Sequence, residues 1–445
     1  LTSQRLKNST SHGVLLDSNY YIIDEAHQLL EAANSVYGAE IMQNTIPGLL
    51  DSVKYTSKDK HARKQYRQLL TKTLEKNADI FRNIGLCLDD GEDRCTIELN
   101  ERTIKDISGI LENLRKIEEF QTDSRKKREC KIVMEQFSVF MHPGAYLCWM
   151  ELDRGNGMLS LCGVPTAMRG ELNRNLWTMP NTHWVLTSGT MKDDTGFRYF
   201  KYELGISGNI PEGATLEHSN GSPFDYKNHT RLYISENVPF PDMDDPEYIQ
   251  AVCDEIVKLV YATRGHTAIL FTSYRMLRMV YEKVKNRLLD YHLIQMTRSD
   301  KTAIGQFKKE KNSVLFASGS MWEGVDCAGD VLSSVIIVRL PFPLRSQLME
   351  YKKTQYDTVR EFVQECAIPQ MIIKLRQGAG RLIRTENDTG VIAILDSRAA
   401  KNGPYRERVL TALSQYPLTP SIYGVEQFIS AVKGTEYLEG GRASA

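Results

Sequence analysis

The sequence predicts an α/β protein with two lobes, each built on a parallel sheet, the first of them incomplete and interrupted by a helical insertion. From about Thr230 onward, apolar strand candidates alternate with helical stretches, and this alternation implies right-handed crossovers and a parallel sheet. Residues 36–142 instead show helical spacing of apolar residues, as at Ile110, Leu111 and Leu114. We therefore divide the chain into a first lobe (1–35 and 143–215), a helical insertion (36–142) and a second lobe (216–445).

The elements of the first lobe begin with the apolar run at 20–23, which predicts a buried strand. After the insertion, strand candidates at 145–152 and 159–161 flank Asn156-Gly157, a sequence that favours a hairpin turn. A helix is predicted at 168–176 and a strand at 184–186. The Gly-rich, polar segment 207–222 is the predicted boundary between the lobes.

The second lobe contains five strand candidates separated by helical stretches. The predicted strands are 231–234, 268–271, 313–316, 335–338 and 391–395. The predicted helices are 246–261, 276–289 and 347–362.

Composition narrows the function classes. The chain has 56 Lys and Arg and 56 Asp and Glu among 445 residues, so no overall basic field attracts nucleic acid, and any contact with it must come from local patches. The eight cysteines form no CxxC pair or zinc-site spacing, which suggests a reducing compartment, and we expect a cytoplasmic protein. No signal peptide or apolar run of transmembrane length is present, so no membrane contact is expected. Because the first residue is leucine and a strand follows soon after, we expect a fragment of a longer protein.

Two adjacent carboxylates, Asp24 and Glu25, follow the first strand in the tetrad Asp-Glu-Ala-His that ends at His27. An NTPase needs such a pair beside a phosphate, because Asp can hold Mg²⁺ while Glu orients and polarises the attacking water. Four residues recur by chance, and an acidic strand end is the alternative interpretation. The pair is thus a candidate metal and catalytic site.

Two clusters in the second lobe suit a nucleotide. The first, at 317–326, directly follows a strand and includes Ser318, Gly324 and Asp326; its small residues let backbone N–H groups approach a ligand, although a plain strand-to-helix turn is an alternative. In the second, Gln377, Arg381 and Arg384 have the spacing of one helical face. Two arginines and an amide suit a triphosphate, and the alternative is a solvated basic face.

A third polar segment contains Thr272 and Ser273, directly after the predicted strand 268–271. Hydroxyl groups at a strand end can bind phosphodiester oxygens of a nucleic acid. Capping of the next helix is at least as good an explanation for Ser273.

Taken in order, the segments DEAH, TSGT, ILFTSY, ASGSMWEGVD and QGAGRLIR resemble motifs II to VI of superfamily 2 helicases, and most of all those of the XPD/DinG family. The resemblance covers nearly the whole chain. It implies two RecA-like lobes with ATP in the cleft between them. It also implies a helical arch inserted between motifs II and III, which matches the stretch at 36–142.

The resemblance also implies roles for individual residues. Asp24 and Glu25 would bind Mg²⁺ and activate water, and His27 would couple that site to motif III. Asp326 and Gln377, with Gly324, would contact the nucleotide, and Arg381 and Arg384 would reach the γ-phosphate. The residues expected to contact nucleic acid or to link it to the ATP state are Ser188, Thr190, Thr272, Ser273 and Ser318.

Three departures from the family pattern stand out. No Gly-x-x-x-x-Gly-Lys-Ser/Thr phosphate loop occurs in residues 1–445; in the family it lies upstream of DEAH. The cysteines that hold an iron–sulfur cluster in many members also lie upstream, so such a cluster is possible only in the missing part. Motif III has Gly189 where alanine is more usual, which adds backbone freedom.

The sequence therefore predicts an ATP-dependent DNA helicase, with a role in DNA repair, that moves 5′→3′ on single-stranded or forked DNA. The cationic run at 125–128 could grip backbone phosphates, although a solvated helix face is the commoner meaning of such a run. Without a phosphate loop, residues 1–445 alone are expected to be inactive. The alternative is a non-hydrolysing nucleic-acid-binding module built on a helicase remnant, and a nuclease ranks last because no further carboxylate cluster is evident.

Overall fold

The structure is a computed structural model that describes residues 18–439, except for 56–57, 89–92, 154, 209, 212, 297–301, 320–326 and 328. The chain forms two compact units. Unit 1 comprises Leu1–Ser188, Phe200–Thr215 and Leu344–Val359, and unit 2 comprises Gly189–Tyr199, Leu216–Pro343 and Arg360–Ala445. The three-part division predicted from the sequence remains a prediction.

A parallel pair of strands forms one part of unit 1. Strand β1 (Tyr20–Ile23) pairs with β6 (His183–Leu186), with Ile23 opposite Leu186. One face packs on an apolar cluster that includes Leu172 and Leu176. The prediction of a buried strand is wrong for the other face, where, among the described residues, the side chains of Tyr20 and Ile22 are 71% and 74% exposed. Parallel sheets are normally covered on both faces, so this pair is unusual for its type.

An antiparallel sheet of four strands forms the second part of unit 1, in the order β2-β5-β4-β3. The predicted hairpin is confirmed, and Gly157 in its turn has a φ of 69°, which glycine adopts without strain. Strands β2 and β3 were not predicted. Since they pair with the hairpin, this sheet crosses the predicted boundary at residue 142. The strands are β2 (Ala39–Met42), β3 (Arg94–Thr96), β4 (Tyr146–Asp153) and β5 (Met158–Pro165).

Four helices pack on this antiparallel sheet: Thr45–Ser52, Lys60–Gly85, Glu101–Glu119 and Ser124–Ser138. The last three begin at side chains that accept a backbone N–H, namely Asp59, Asn100 and Asp123. Their apolar faces meet around Ile110 and Phe137, both fully buried. The prediction of a mostly helical stretch here is confirmed.

The other helices that lie wholly or partly in unit 1 are short. Helix 168–176 was predicted as one element, but it is an α-helix to Leu172 followed by a π-helical turn. Helix 347–362 is likewise wrong as a single element, because residues 354–358 are not helical. The bounds are Leu29–Tyr37, Met168–Leu172, Asn173–Trp177 (π), Arg198–Glu203, Gln347–Lys353 and Val359–Phe362.

Unit 2 is built on a seven-stranded sheet in the order β13-β7-β12-β11-β8-β10-β9, and every pairing is parallel. The five predicted strands are confirmed to within two residues. Strands β9 and β13, at the two edges, were not predicted. The bounds are β7 (Thr230–Ile234), β8 (Thr267–Phe271), β9 (His292–Gln295), β10 (Ser313–Ser318), β11 (Ser334–Ile337), β12 (Gly390–Ile394) and β13 (Leu418–Thr419).

Helices lie on both faces of this sheet and bury an apolar cluster on each. The predicted helix at 246–261 is confirmed, whereas the one at 276–289 ends as an α-helix at Val284. The bounds are Tyr226–His229, Pro246–Ala262, Tyr274–Val284, Thr302–Lys309, Val363–Ala367 (π), Ile368–Ala379, Arg406–Ala412, Ile422–Val432 and Thr435–Glu439. The α/β fold class with parallel sheets is thus confirmed.

Within the part of the chain that the structure describes, no helix has both the length and the apolar character needed to cross a bilayer.

We predict that two isoleucines of the parallel sheets differ sharply in their effect on stability. Ile336 of β11 is fully buried, and Ile336→Ala should lower the free energy of unfolding by about 2–5 kcal/mol, because it leaves a cavity in a packed core. Ile22→Ala, on the exposed face, should change it by less than about 0.5 kcal/mol. Urea unfolding of residues 1–445 followed by circular dichroism measures both. Equal effects of the two substitutions would contradict the difference in burial between Ile336 and Ile22.

Candidate active site

The register of β1 and β6 places the acidic tetrad, residues 24–27, beside Thr187 and Ser188, the first two residues of motif III. The strands end at Ile23 and Leu186, so Asp24 and Thr187 follow them side by side. Backbone hydrogen bonds continue the pairing: the Thr187 N–H donates to the Ile23 carbonyl and the Ala26 N–H donates to the Thr187 carbonyl, both at 2.9 Å. Two segments far apart in sequence are therefore held together by main-chain bonds.

The Asp24 carboxylate is exposed and is held in its ionised form. The Thr187 hydroxyl donates to its Oδ1 at 2.7 Å, and the Glu25 N–H donates to the same oxygen at 3.0 Å. These bonds, the Thr187 bond first, hold the pKa of Asp24 below its usual value. An exposed, ionised carboxylate is a suitable ligand for a divalent cation.

Glu25 adopts a left-handed backbone conformation, with φ 50° and ψ 42°. This conformation is uncommon for residues other than glycine and often marks a functional segment. Its carboxylate meets Ser188, whose hydroxyl donates to Oε2 at 3.2 Å. His27 Nδ1 lies 2.8 Å from the same hydroxyl and 3.3 Å from Oε2. The structure thus brings Glu25, His27 and Ser188 together.

The residues 189–199, which follow Ser188, belong to unit 2. Two arginines anchor them there, and the sequence alone predicts no role for either arginine. Arg376 donates to the carbonyls of Lys192 and Asp193, at 2.5 and 3.1 Å. Burial lowers the pKa of the Arg376 guanidinium, which is nevertheless fully charged at neutral pH. Arg408 pairs with Asp194. The signal available in the sequence was the Asp193-Asp194 pair, a few residues beyond motif III.

Gln377 is mostly buried in the last turn of the helix Ile368–Ala379. Its amide nitrogen lies 3.3 Å from the hydroxyl of Thr190 and can donate to it. Two residues predicted from separate motifs, III and VI, are therefore in contact within unit 2.

The prediction that Gln377, Arg381 and Arg384 share one helical face is wrong. The helix ends at Ala379, and both arginines lie in the turn that follows. Gly378 and Gly380 explain this end, because glycine is about 1 kcal/mol less favourable than alanine in a helix.

A buried carboxylate organises the turn that carries Arg384. Asp388 accepts the N–H groups of Arg384 and Thr385 at 2.7 and 2.8 Å, and the Thr385 hydroxyl at 2.7 Å. It also accepts the N–H of Gly329 at 3.0 Å. Burial alone would raise the pKa of Asp388. The hydrogen bonds that its carboxylate accepts have the larger effect, so the pKa lies below its usual value. Asp388 thereby fixes the backbone of Arg384.

Three of the predicted nucleic-acid residues, Thr272, Ser273 and Ser318, lie at two neighbouring strand ends of unit 2. Ser318 ends β10 opposite Phe271, which ends β8 and precedes Thr272. Ser273 caps the next helix, since its hydroxyl accepts the Met276 N–H at 3.3 Å. The capping interpretation of Ser273 therefore holds. Gly324 and Asp326, predicted to contact nucleotide, lie outside the described residues.

The acidic tetrad of unit 1 offers two carboxylates to a cation. Among them, no group of three or more His, Cys, Asp or Glu side chains could hold a metal ion. Mg²⁺, however, usually keeps its waters and binds one or two carboxylates together with substrate phosphates. Asp24 and Glu25 supply two carboxylates, so these residues fit a Mg²⁺ ion that is also bound to the phosphates of a nucleotide.

Comparison with known proteins gives three further findings. Residues 256–416 match the helicase C-terminal domain. The chain is 28% identical over 445 residues to the ATP-dependent DNA helicase YoaA of Haemophilus influenzae, covering 95% of this chain and 66% of that protein. It is 32% identical over 219 residues to the ATP-dependent helicase DinG of Mycobacterium tuberculosis, covering 48% of this chain and 32% of that protein. The chain thus spans two thirds or less of the length of these two relatives.

Solved structures give the fold. An apo structure of XPD superposes with a TM-score of 0.58 at 17% identity, covering 92% of this chain and 78% of that one. Xpd4 of S. tokodaii gives the same score and identity, covering 94% and 80%. The ordered motifs, the match to the helicase C-terminal domain and the two relatives support a likeness to XPD/DinG-type superfamily 2 helicases, and the solved structures support the fold.

Proposed function

We propose that the protein containing this chain is an ATP-dependent DNA helicase that couples ATP hydrolysis to 5′→3′ movement along single-stranded DNA. The observation that carries the proposal is the joint placement of Asp24, Glu25, His27 and Ser188 by strands β1 and β6. The relatives named as ATP-dependent DNA helicases support ATP, Mg²⁺ and DNA as the ligands. A preference for forked DNA and a role in DNA repair are part of the same proposal.

The residues of unit 1 have distinct parts in the proposed hydrolysis. Mg²⁺, when bound, would neutralise charge on the phosphate oxygens. Asp24 would hold it as an ionised carboxylate, kept in that state by Thr187. Glu25 would orient the attacking water and accept its proton. His27 and Ser188 position the Glu25 carboxylate through their contacts with Oε2.

The residues of unit 2 would recognise the nucleotide and the nucleic acid. Arg381 and Arg384 would stabilise the charge that spreads over the transferring phosphoryl oxygens. Gln377 would report the state of the nucleotide to Thr190 through their hydrogen bond. The strand ends at Thr272 and Ser318 would contact phosphates of the nucleic acid; we assign no such role to Ser273 beyond its cap.

The alternative is a non-hydrolysing nucleic-acid-binding module. The described geometry favours the motor, because a binding module has no need for Glu25 in a left-handed conformation with two polar partners. A cytoplasmic location is also proposed. All eight cysteines are free and six of them are buried, as in proteins that fold without disulfides.

We predict little or no ATP hydrolysis by residues 1–445 alone, because no phosphate loop occurs in this sequence. The same assay on the longest reading frame that contains this chain should show turnover stimulated by single-stranded DNA. Turnover by residues 1–445 that Glu25→Gln abolishes would refute the first expectation. Absence of turnover from the longer protein would favour the binding module.

In that longer protein, Glu25→Gln should lower kcat for ATP hydrolysis by about 100-fold or more, because it removes the general base. KM for ATP should change little, since the amide keeps the shape of the side chain. Glu31→Gln, on an exposed position of the next helix, is the matched control and should behave like the wild type. A variant at Glu25 with normal kcat would remove this residue from the mechanism.

Thr187→Val should raise the pKa of Asp24, because the valine keeps the shape of the side chain but removes the hydrogen bond to the ionised carboxylate. A ¹³C NMR titration of the aspartate carboxyl groups in residues 1–445 measures this shift directly. Ser188→Ala is the control, since the hydroxyl of Ser188 donates to Glu25. An Asp24 pKa that does not move in Thr187→Val would show that Thr187 does not hold the metal ligand in its ionised form.

A further inference from the structure

The helix Lys60–Gly85 has an unusual distribution of charge. Its first fifteen residues, 60–74, contain five cations and no acidic residue. The cations all lie along one exposed surface depression of the helix, which Glu75 also lines. They are Lys60, Arg63, Lys64, Arg67 and Lys72, and we call them the basic face.

Within the described part of the chain, no carboxylate forms an ion pair with the basic face. The second half of the same helix behaves differently: Lys76 pairs with Asp106 at 2.9 Å, and Arg82 pairs with Asp79 at 2.8 Å. Unpaired and paired cations thus occupy separate halves of one helix.

The position of these cations opposes helix stability. The amino end of a helix carries a partial positive charge and favours acidic residues. Here Asp59 caps the helix, but no acid occupies the first turn, and Lys60, Arg63 and Lys64 stand in the first turn and a half. Three cations near one carboxylate leave this end of the helix with excess positive charge, so a bound polyanion would relieve the repulsion among the cations.

A second group of cations lies close to the basic face. Tyr66, in the middle of the basic stretch, packs against Phe120 at 5.3 Å between ring centroids, and its hydroxyl lies 3.2 Å from the amide nitrogen of Gln121. Gln121 is separated by two residues from the start of helix Ser124–Ser138, whose first turns carry Lys126, Lys127 and Arg128. The two cationic helix starts are therefore at the same end of the helical insertion.

We propose that the basic face binds the phosphate backbone of DNA, as a contact separate from the strand ends of unit 2. From Lys60 to Lys72 the helix spans about 18 Å, at 1.5 Å per residue. That length matches about five nucleotides of one strand at 3.4 Å each. None of the five positions is aromatic, so binding should rest on the neutralisation of phosphates and should not depend on sequence. The choice of DNA as the polyanion rests on the proposed function.

The test is the affinity of residues 1–445 for a fluorescent 20-nucleotide single strand and a 20-base-pair duplex, measured by anisotropy over a range of salt. The triple variant Arg63→Gln, Lys64→Gln, Arg67→Gln should bind at least tenfold more weakly. The slope of log affinity against log salt should fall by about 2 to 3, because each lost phosphate contact contributes about 0.7 to 0.9. Changing the base sequence should leave both results unchanged.

The matched control removes three exposed cations that are already paired with carboxylates: Lys116→Gln, Lys285→Gln and Lys311→Gln. It has the same net charge as the test variant and should bind DNA as the wild type does. Circular dichroism melting checks that both variants fold. If the two variants bind alike, the proposal is overturned.

Two further outcomes separate the explanations. If polyglutamate displaces the probe at a lower concentration of charges than unlabelled DNA does, the face belongs to an acidic protein partner and the assignment to DNA is wrong. ATP hydrolysis by the longer protein is measured independently. If the longer protein hydrolyses ATP but the triple variant binds DNA as the wild type does, this inference alone is overturned. If the longer protein does not hydrolyse ATP but the triple variant binds DNA more weakly, the proposed motor alone is overturned.

Discussion

The parallel pairing of β1 with β6 is the constraint on which the candidate active site depends. Because Ile23 and Leu186 are in register, the residues that follow each strand must lie side by side. Thr187 then reaches Asp24, and Ser188 reaches both Glu25 and His27. A slip of the pairing by one residue would turn every side chain to the opposite face and would separate the two segments.

In unit 2 the corresponding constraint is that main-chain N–H and carbonyl groups at the ends of loops need hydrogen-bond partners. Asp388 accepts hydrogen bonds from N–H groups of two loops, and Arg376 donates hydrogen bonds to carbonyls of the segment beyond motif III. Both side chains bond mainly to backbone atoms, and Asp388 also accepts the Thr385 hydroxyl. They therefore set the path of the chain, Asp388 at Arg384 and Arg376 at the segment beyond motif III.

The sequence was sufficient for elements that are determined locally. Strands of unit 2 such as β8 and β11 are apolar on both faces because the sheet is covered on both faces, and this produces an unmistakable apolar run. Elements determined by distant partners were missed: β2 and β3 are short and exist because the hairpin β4–β5 offers them edges. The end of the helix at Ala379 was missed because the i, i+4 spacing of its polar residues suggested continuity, whereas Gly378 and Gly380 end it. Arg376 and Arg408 carry no local signal, since their partners lie about two hundred residues away.

The exposed face of the β1–β6 pair has a consequence for handling the isolated polypeptide. Tyr20, Ile22 and Val185 form an apolar strip on this pair of strands, and among the described residues each of the two strands has one edge that pairs with no other strand. Open edges with apolar side chains are templates for pairing with another molecule. Self-association of this polypeptide should therefore begin at this strip, near the acidic tetrad, and should hide Asp24 and Glu25 from ligands as concentration rises.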